Sequence, residues 1–372
     1  MEAFYRTHAY LVEHTNAPVR RDLMDEIDWN DRLIGIKGTR GVGKTTFLLQ
    51  YAKEKFGTDR SCLFINMNNF YFSGHGIVEF AAEAGIPEGV FNVITGPGSS
   101  VGEALGLHPG VDVVSFTGST EVGRRFLEYA ARSNLKRIVL ELGGKSPFVV
   151  LDDVADYAAV AAQAAAAFWN MGENCTANSR IIVPRKRKDA FTEALLAELE
   201  NWRIGDPLDP ENNLGSIVSE GQFRTIMGYI EKGKAEGGHV LTGGAPLAIG
   251  SGLFIPPTIF DGVTPDMAIV REEIFGPVTA ILPADSDEEA VGLANATAYG
   301  LQATLFTEDV TKAHKYARAL KAGTVSVNCF SEGDNTTPFG GYKLSGFGGK
   351  DKGRESHDQY TETKTIFLNL DR

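Results

Sequence analysis

From residue 91 to residue 150 the chain repeats one unit: a short apolar run, a turn carrying glycine, then residues with helical spacing. Phe91–Thr95, Val111–Phe116 and Lys136–Leu140 read as strands. Gly96–Gly102 and Thr117–Gly123 read as turns that open helices. Strands joined through helices run parallel, and their sheet is covered on both faces. The pattern confines this stretch to an α/β architecture with a doubly wound sheet. Neither turn has a full G-x-G-x-x-G spacing, so by themselves they are ordinary turns. With 372 residues and 43% hydrophobic content the chain can build two or three cored domains.

Two reactive side chains bracket the next stretch. Leu140-Glu141-Leu142-Gly143-Gly144-Lys145-Ser146-Pro147 leads through an Ala-rich helix to Asn170-Met171-Gly172-Glu173-Asn174-Cys175. Cysteine is usually a small core residue. Cys175 instead lies just past the end of an apolar run, among Gly172, Glu173, Asn174, Thr176 and Asn178. A thiol at a polar turn can ionise, and the thiolate is the nucleophile. The remaining cysteines, Cys62 and Cys329, stand far off without CxxC spacing, so neither a metal site nor a disulfide framework is expected. Cys329 follows the strand-like Thr324–Asn328 and reads as structural.

The formal net charge of −12 argues against a nucleic-acid partner. The basic run Arg185-Lys186-Arg187-Lys188 falls between a strand and a helix and reads as a solvated turn. No apolar signal core opens the sequence, and no run reaches the roughly 18 apolar residues of a membrane span. The expectation is a soluble, cytoplasmic protein without a membrane partner.

Residues 1–80 carry a different signature. Arg32–Lys37 reads as a buried strand, Gly38-Thr39-Arg40-Gly41-Val42-Gly43-Lys44-Thr45-Thr46 follows, and Phe47–Phe56 is helical in spacing. This is G-x-x-x-x-G-K-T in its strand–helix setting. Backbone N–H groups around Gly38, Gly41 and Gly43 would close on phosphates at the helix start. Lys44 would reach the outer phosphates, and Thr45, with Thr46 beside it, would hold Mg2+. Cys62–Met67 reads as a second parallel strand. The segment resembles the start of AAA-type P-loop ATPases, which implies ATP and magnesium as ligands. Such an ATPase needs an acidic residue ending a later strand. Phe148–Asp153 fits that template, although Asp153 reads more simply as the N-cap of the Ala-rich helix.

From about Ala81 to Arg372 the chain resembles the aldehyde dehydrogenases. The resemblance rests on Glu-Leu-Gly-Gly-Lys-Ser-Pro at 141–147 and Asn-x-Gly-x-x-Cys at 170–175. Phe-Thr-Gly-Ser-Thr at 116–120, Glu-Glu-Ile-Phe-Gly-Pro at 272–277 and Pro-Phe-Gly-Gly-Tyr-Lys at 338–343 match in register. It implies oxidation of an aldehyde to a carboxylate with NAD or NADP, Cys175 as nucleophile and Glu141 as base. It also implies cofactor contacts from Gly118, Ser119, Leu142, Glu273 and Phe275. The passage from Val327 through Lys343 looks like the aminoaldehyde branch, in which acidic Glu332 and Asp334 could attract an ammonium-bearing substrate; a plain solvent-facing loop is the alternative. The alternating tail Tyr360–Leu370 reads as a strand that in the family pairs across subunits, implying a homo-oligomer.

The expected organisation is a P-loop fragment (1–80), half of a Rossmann-type cofactor domain (81–141), a catalytic domain (142–345) and a tail (346–372). Within the catalytic domain, helices are expected at Asp189–Trp202, Gln222–Glu236, Asp287–Asn295 and Asp309–Ala322, a strand at His239–Leu241, and an irregular edge at Phe254–Phe260. The early strands of the family's cofactor domain have no counterpart before Ala81. Neither do its ribose-binding lysine and the side-chain amide that faces the oxyanion, which leaves the backbone N–H of Cys175. Three readings follow: a working dehydrogenase in which residues 32–67 replace the missing strands, an ATP-binding P-loop protein, or an inactive chimera of two incomplete domains.

Overall fold

The computed structural model describes residues 2–15, 24, 44–58, 89–90, 92–334 and 336–369. The chain divides into two compact units, Met1–Val101 and Gly102–Arg372. In the first, helix α1 (Glu2–His14) packs on α2 (Lys44–Lys55) through Val12, Leu49 and Ala52. Lys53 ties them by donating from Nζ to the carbonyls of Glu13 at 3.1 Å and Thr15 at 2.8 Å. The strands expected at Arg32–Lys37 and Cys62–Met67, and Gly38, Gly41 and Gly43, lie outside the described residues. Lys44, Thr45 and Thr46 open α2; their side chains also lie outside the description. Residues 92–95 form no strand, a correction to Phe91–Thr95; Val93 and Ile94 are exposed, and an apolar run without a ladder partner has nothing to order it.

The second unit begins with α3 (Glu103–Leu107), β1 (Val113–Thr117), α4 (Thr120–Arg132), β2 (Arg137–Glu141), β3 (Pro147–Val150), α5 (Tyr157–Ala164), β4 (Arg180–Pro184) and α6 (Lys188–Leu199). It continues with α7 (Glu220–Ala235), β5 (His239–Thr242), β6 (Thr258–Asp261), α8 (Ala268–Arg271), β7 (Val278–Ala284) and α9 (Asp287–Asn295). It closes with β8 (Tyr299–Gly300), β9 (Gln302–Phe306), α10 (Val310–Ala319), β10 (Thr324–Val327), β11 (Tyr342–Lys343), β12 (Gly346–Phe347) and α11 (Glu355–Asp358).

A small sheet, ordered β1-β2-β12, is what these residues build of a cofactor domain. Among the described residues β1 is paired on one side only, in parallel with β2. The second sheet is larger, ordered β10-β9-β3-β4-β7-β6-β5, and parallel except for β5 against β6. Its central strands read as unbroken apolar runs because both faces are buried. Phe148 and Val150 face one core with Ile181, Val183, Phe191 and Leu195; Val149 and Ile182 face the other with Ile226, Ile230, Ile269 and Val291.

Four further expectations need correction. Thr258–Asp261 is no edge: β6 pairs on both sides, and Pro256 and Pro257 end just before its ladder. Thr324–Val327 is the edge strand instead, and Cys329 just beyond it is exposed, not core. The tail at 361–369 forms no strand within this chain: its residues are exposed, and among the described residues no strand pairs with it. Last, α5 is capped by Asp156, whose carboxylate accepts from Ala159 N–H at 3.0 Å. Asp153 has another task. The chain leaves β3 for β4 on one side and returns as β9 on the other, which puts a topological switch point between β3 and β9. There the Asp153 carboxylate accepts from the Thr307 hydroxyl at 2.7 Å and from the N–H groups of Glu308 and Asp309 at 2.9 Å each. It fills the crevice where such sheets often bind ligands.

Candidate active site

Glu141 ends β2, flanked by Thr117 of β1 and Gly346 of β12. Gly118 N–H donates to the Glu141 carbonyl at 3.0 Å, and Ser119 caps α4 by accepting from Val122 N–H at 3.3 Å. The sheet thus brings Gly118 and Ser119 beside Glu141. Leu142 turns into the small sheet's core with Phe126 and Ile138. Residues 142–146, all buried, then cross to the amino end of β3.

The two glycines make this crossing tight. A Cβ on Gly143 would overlap the Glu273 carboxylate, and one on Gly144 would overlap the Cys175 carbonyl. Gly144 N–H donates to Glu273 Oε1 at 3.1 Å. Cys175 is approached through three successive left-handed residues: Asn170 (φ 50°), Met171 (φ 57°) and Gly172 (φ 65°). That conformation is costly for methionine. Its thioether is held by the Gly215 N–H at 3.3 Å. Gly172 lies so close to the Gly276 carbonyl that no side chain would fit. The cysteine loop therefore rests on the turn carrying Phe275, itself left-handed (φ 54°) and fixed by Gln222 Nε2 donating to the carbonyls of Ile274 (2.9 Å) and Phe275 (2.7 Å).

Gly143 and Gly144 precede β3, Cys175 precedes β4, and Glu273 and Phe275 precede β7. These three strands are parallel, with β4 between the other two. The site is thus built at their amino ends, and Glu141 enters from the carboxyl end of the small sheet. Burial pushes the Cys175 thiol up to about 11, and the carboxylates of Glu332, Glu273 and Glu141 add to the rise. Burial also pushes Glu141 up to about 8; Asp351 reinforces this, while Lys350 and the Gly341 backbone oppose it. Glu273 is raised by burial against the N–H of Gly144 and the ammonium of Lys145.

Of the two acidic loop residues, Glu332 reaches the site: its carboxylate accepts from the Thr176 hydroxyl, which also meets Asn174 Oδ1 at 3.0 Å. Asp334 instead engages Thr336 in a local turn. Sequence reasoning missed Lys145, wholly buried beside Glu273, and the pair Lys350 and Asp351 near Glu141. Lys145 lies inside a motif already singled out, so its type was the signal. Nothing in the sequence ties residue 350 to residue 141. Among the described residues no helix is long and apolar enough to cross a membrane.

A doubly wound sheet with a thiol at its amino end and a glutamate carried in from a smaller sheet defines a class, and comparison gives it a name. Residues 71–366 match the aldehyde dehydrogenase family, and the chain belongs to that family. Residues 30–94 match an AAA domain. An aminoacetaldehyde dehydrogenase of Pseudomonas aeruginosa is 53% identical over 293 residues, covering 78% of this chain and 58% of the relative. The crystallised indole-3-acetaldehyde dehydrogenase of P. syringae, in complex with NAD+, superposes with a TM-score of 0.77 at 47% identity, over 79% of this chain and 60% of that one. A γ-glutamyl-γ-aminobutyraldehyde dehydrogenase of Burkholderia cenocepacia gives 0.74 at 49% identity, over 77% and 58%. The chain therefore spans less than two thirds of the length of these relatives.

Proposed function

We propose that the second unit oxidises an aldehyde to a carboxylate with NAD(P)+, favouring short aldehydes that carry an ammonium group. The observation that carries this reading is the convergence of Cys175, Glu273 and Phe275 at the amino ends of β4 and β7, with Glu141 entering from the small sheet. Cys175 Sγ, once deprotonated, adds to the carbonyl carbon, and its backbone N–H faces the oxygen that becomes negative. A bound oxidised dinucleotide would supply the hydride acceptor for that carbon. Glu141 takes a proton from water as the water attacks the resulting thioester; the C–S bond breaks and the carboxylate leaves.

The residues present fit the nicotinamide end of such a cofactor. Among the described residues the Glu273 carboxylate takes one hydrogen bond, from Gly144, and keeps acceptor capacity for ribose hydroxyls. Phe275 stands 39% exposed beside it. Gly118 N–H is already used by Glu141, so a pyrophosphate would meet the first-turn N–H groups of α4 next to Ser119. Leu142 lies under that helix and would act through packing. Glu332, held at Thr176 beside the thiol, supports the cationic substrate, as do the names of the aminoaldehyde relatives. The exposed Ile366, Phe367 and Leu368 support pairing of the tail with a second copy. For residues 30–94 the AAA match supports nucleotide binding as a second reading.

The test is NADH formation with a short aminoaldehyde and with an uncharged aldehyde of equal length. The expected outcome is turnover that rises with pH, through about 8 as Glu141 loses its proton and further toward about 11 as the Cys175 thiol ionises, and that vanishes in Cys175→Ala. Glu332→Gln should raise KM for the charged substrate about tenfold and leave the uncharged one unchanged. A folded protein with no turnover at any pH would overturn the reading.

A further inference from the structure

Glu141 is 4% exposed, and its carboxylate makes no well-formed hydrogen bond among the described residues, only a weak approach to the Gly341 backbone. An orphaned buried carboxylate is costly unless a charge stands near. The ionisable groups facing it are few. Its strand neighbours contribute Thr117 and Gly346, neither of which titrates. The loop before β4 contributes the Cys175 thiol, and the segment after β12 contributes Lys350 and Asp351.

Lys350 is placed by specific contacts. Its Nζ donates to the carbonyls of Gly340 and, at 3.3 Å, Gly341, and lies 5.3 Å from the centre of the Tyr342 ring. Gly340 separates it from Glu141. A Cβ added to Gly340 would overlap Glu141 Oε1 and lie 3.2 Å from Lys350 Nζ. Ammonium and carboxylate thus flank one Cα without forming an ion pair. Asp351 is fixed in the same strip by paired backbone bonds with Phe339. The hairpin of residues 339–351 sets both charges from one rigid piece.

We propose that Lys350 is a positioning residue for Glu141: latched on Gly340 and Gly341, its ammonium favours the form of the glutamate that accepts a proton from water. The role rests on the reading of Glu141 as the base. Lys350 touches no reacting atom. It acts through the space beside Gly340 that a side chain would fill, where the protein interior screens less than water. Asp351 opposes it, so the two residues hold Glu141 between a proton-releasing and a proton-retaining influence.

The experiment uses the full chain and two readouts. The first is infrared titration of the buried carboxylic C=O band, assigned by its loss in Glu141→Gln; it needs no turnover. The second is the pH profile of thioester hydrolysis, read as the steady rate that follows the first-turnover burst of NADH. Lys350→Met and Lys350→Gln should each move both midpoints up by about one pH unit, and Lys350→Arg should restore them. Asp351→Asn should move them down. Circular dichroism checks each variant for folding. An infrared midpoint that stays put in both folded Lys350 variants overturns the proposal whether or not the enzyme turns over. An infrared shift with an unmoved rate profile overturns it too, because Glu141 would then not be the base. An absence of turnover in the unmodified protein counts against the dehydrogenase reading, and the infrared arm still reports whether Lys350 acts on Glu141.

Discussion

Lys145 carries its amine into the second unit with 1% exposure and no hydrogen-bond partner among the described residues. Burial lowers its pKa from 10.5 to about 7; Arg180 contributes in the same direction, and Glu273 and Glu272 oppose. The unfolded chain therefore binds a proton that the folded one releases, and stability rises with pH between about 7 and 10.5. The cost at neutral pH is on the order of 4 kcal/mol. Lys145→Met, which keeps the length and removes the amine, is expected to raise the urea midpoint at pH 7 and to lose that gain as the pH approaches 10.5. A gain that is flat across pH would mean that packing, not charge, is responsible. An expensive amine beside Glu273 fits a site kept for ligand binding rather than for stability.

At the scale of elements, Asp153 joins the β3 end to the turn before α10. Burial pushes its carboxyl up, but the Thr307 hydroxyl, the Glu308 N–H and the Lys312 ammonium outweigh this and hold it below the usual range. Asp153→Ala leaves the Glu308 N–H without an acceptor and the Asp309 N–H with only the Thr307 hydroxyl at 3.2 Å, and is expected to cost about 2 kcal/mol in urea unfolding at pH 7. The difference from the parent should shrink below about pH 4, since a group with a depressed pKa loses its contribution as it protonates. Much at this scale was legible in sequence. Asp287–Asn295 forms where spacing predicts it, and the structure adds a cap from Ser286. The strands of the large sheet are visible as apolar runs because alternate residues enter two cores. Edges were not legible. Whether β6 or β10 lies at a border depends on strand order, which local sequence does not encode. The same holds inside the site. Glu141 and Cys175 stand out by neighbourhood, whereas Thr176 meeting Glu332 and Gly340 separating Glu141 from Lys350 arise only when distant segments close on each other.

At the scale of the whole molecule, two family matches overlap at residues 71–94. Lys44 opens α2 directly after the glycines of the phosphate loop. Expected is binding of a fluorescent ATP analogue with Mg2+ that is lost in Lys44→Ala, with no measurable hydrolysis, since the acid that fits the template, Asp153, is engaged by Thr307, Glu308 and Asp309. Lys44-dependent hydrolysis would show that another carboxylate of this chain has taken that place. On the dehydrogenase side, β1 offers an open edge among the described residues. Open edges recruit strands.

The filled crevice at Asp153 has a practical outcome. The carboxyl ends of β3, β4 and β7 border a cavity of about 520 Å3, and its main charges are matched with one another: Lys186 with Asp152, Arg185 with Asp285, Lys312 with Asp287. The reactive groups all lie at the other end of these strands. A dye or spin label tethered in the loops of that quiet end would ride on the same rigid strands as the thiol. It would report melting or ligand-induced shifts of the frame with no chemical interference, a vantage point that folds with chemistry at the carboxyl end do not offer.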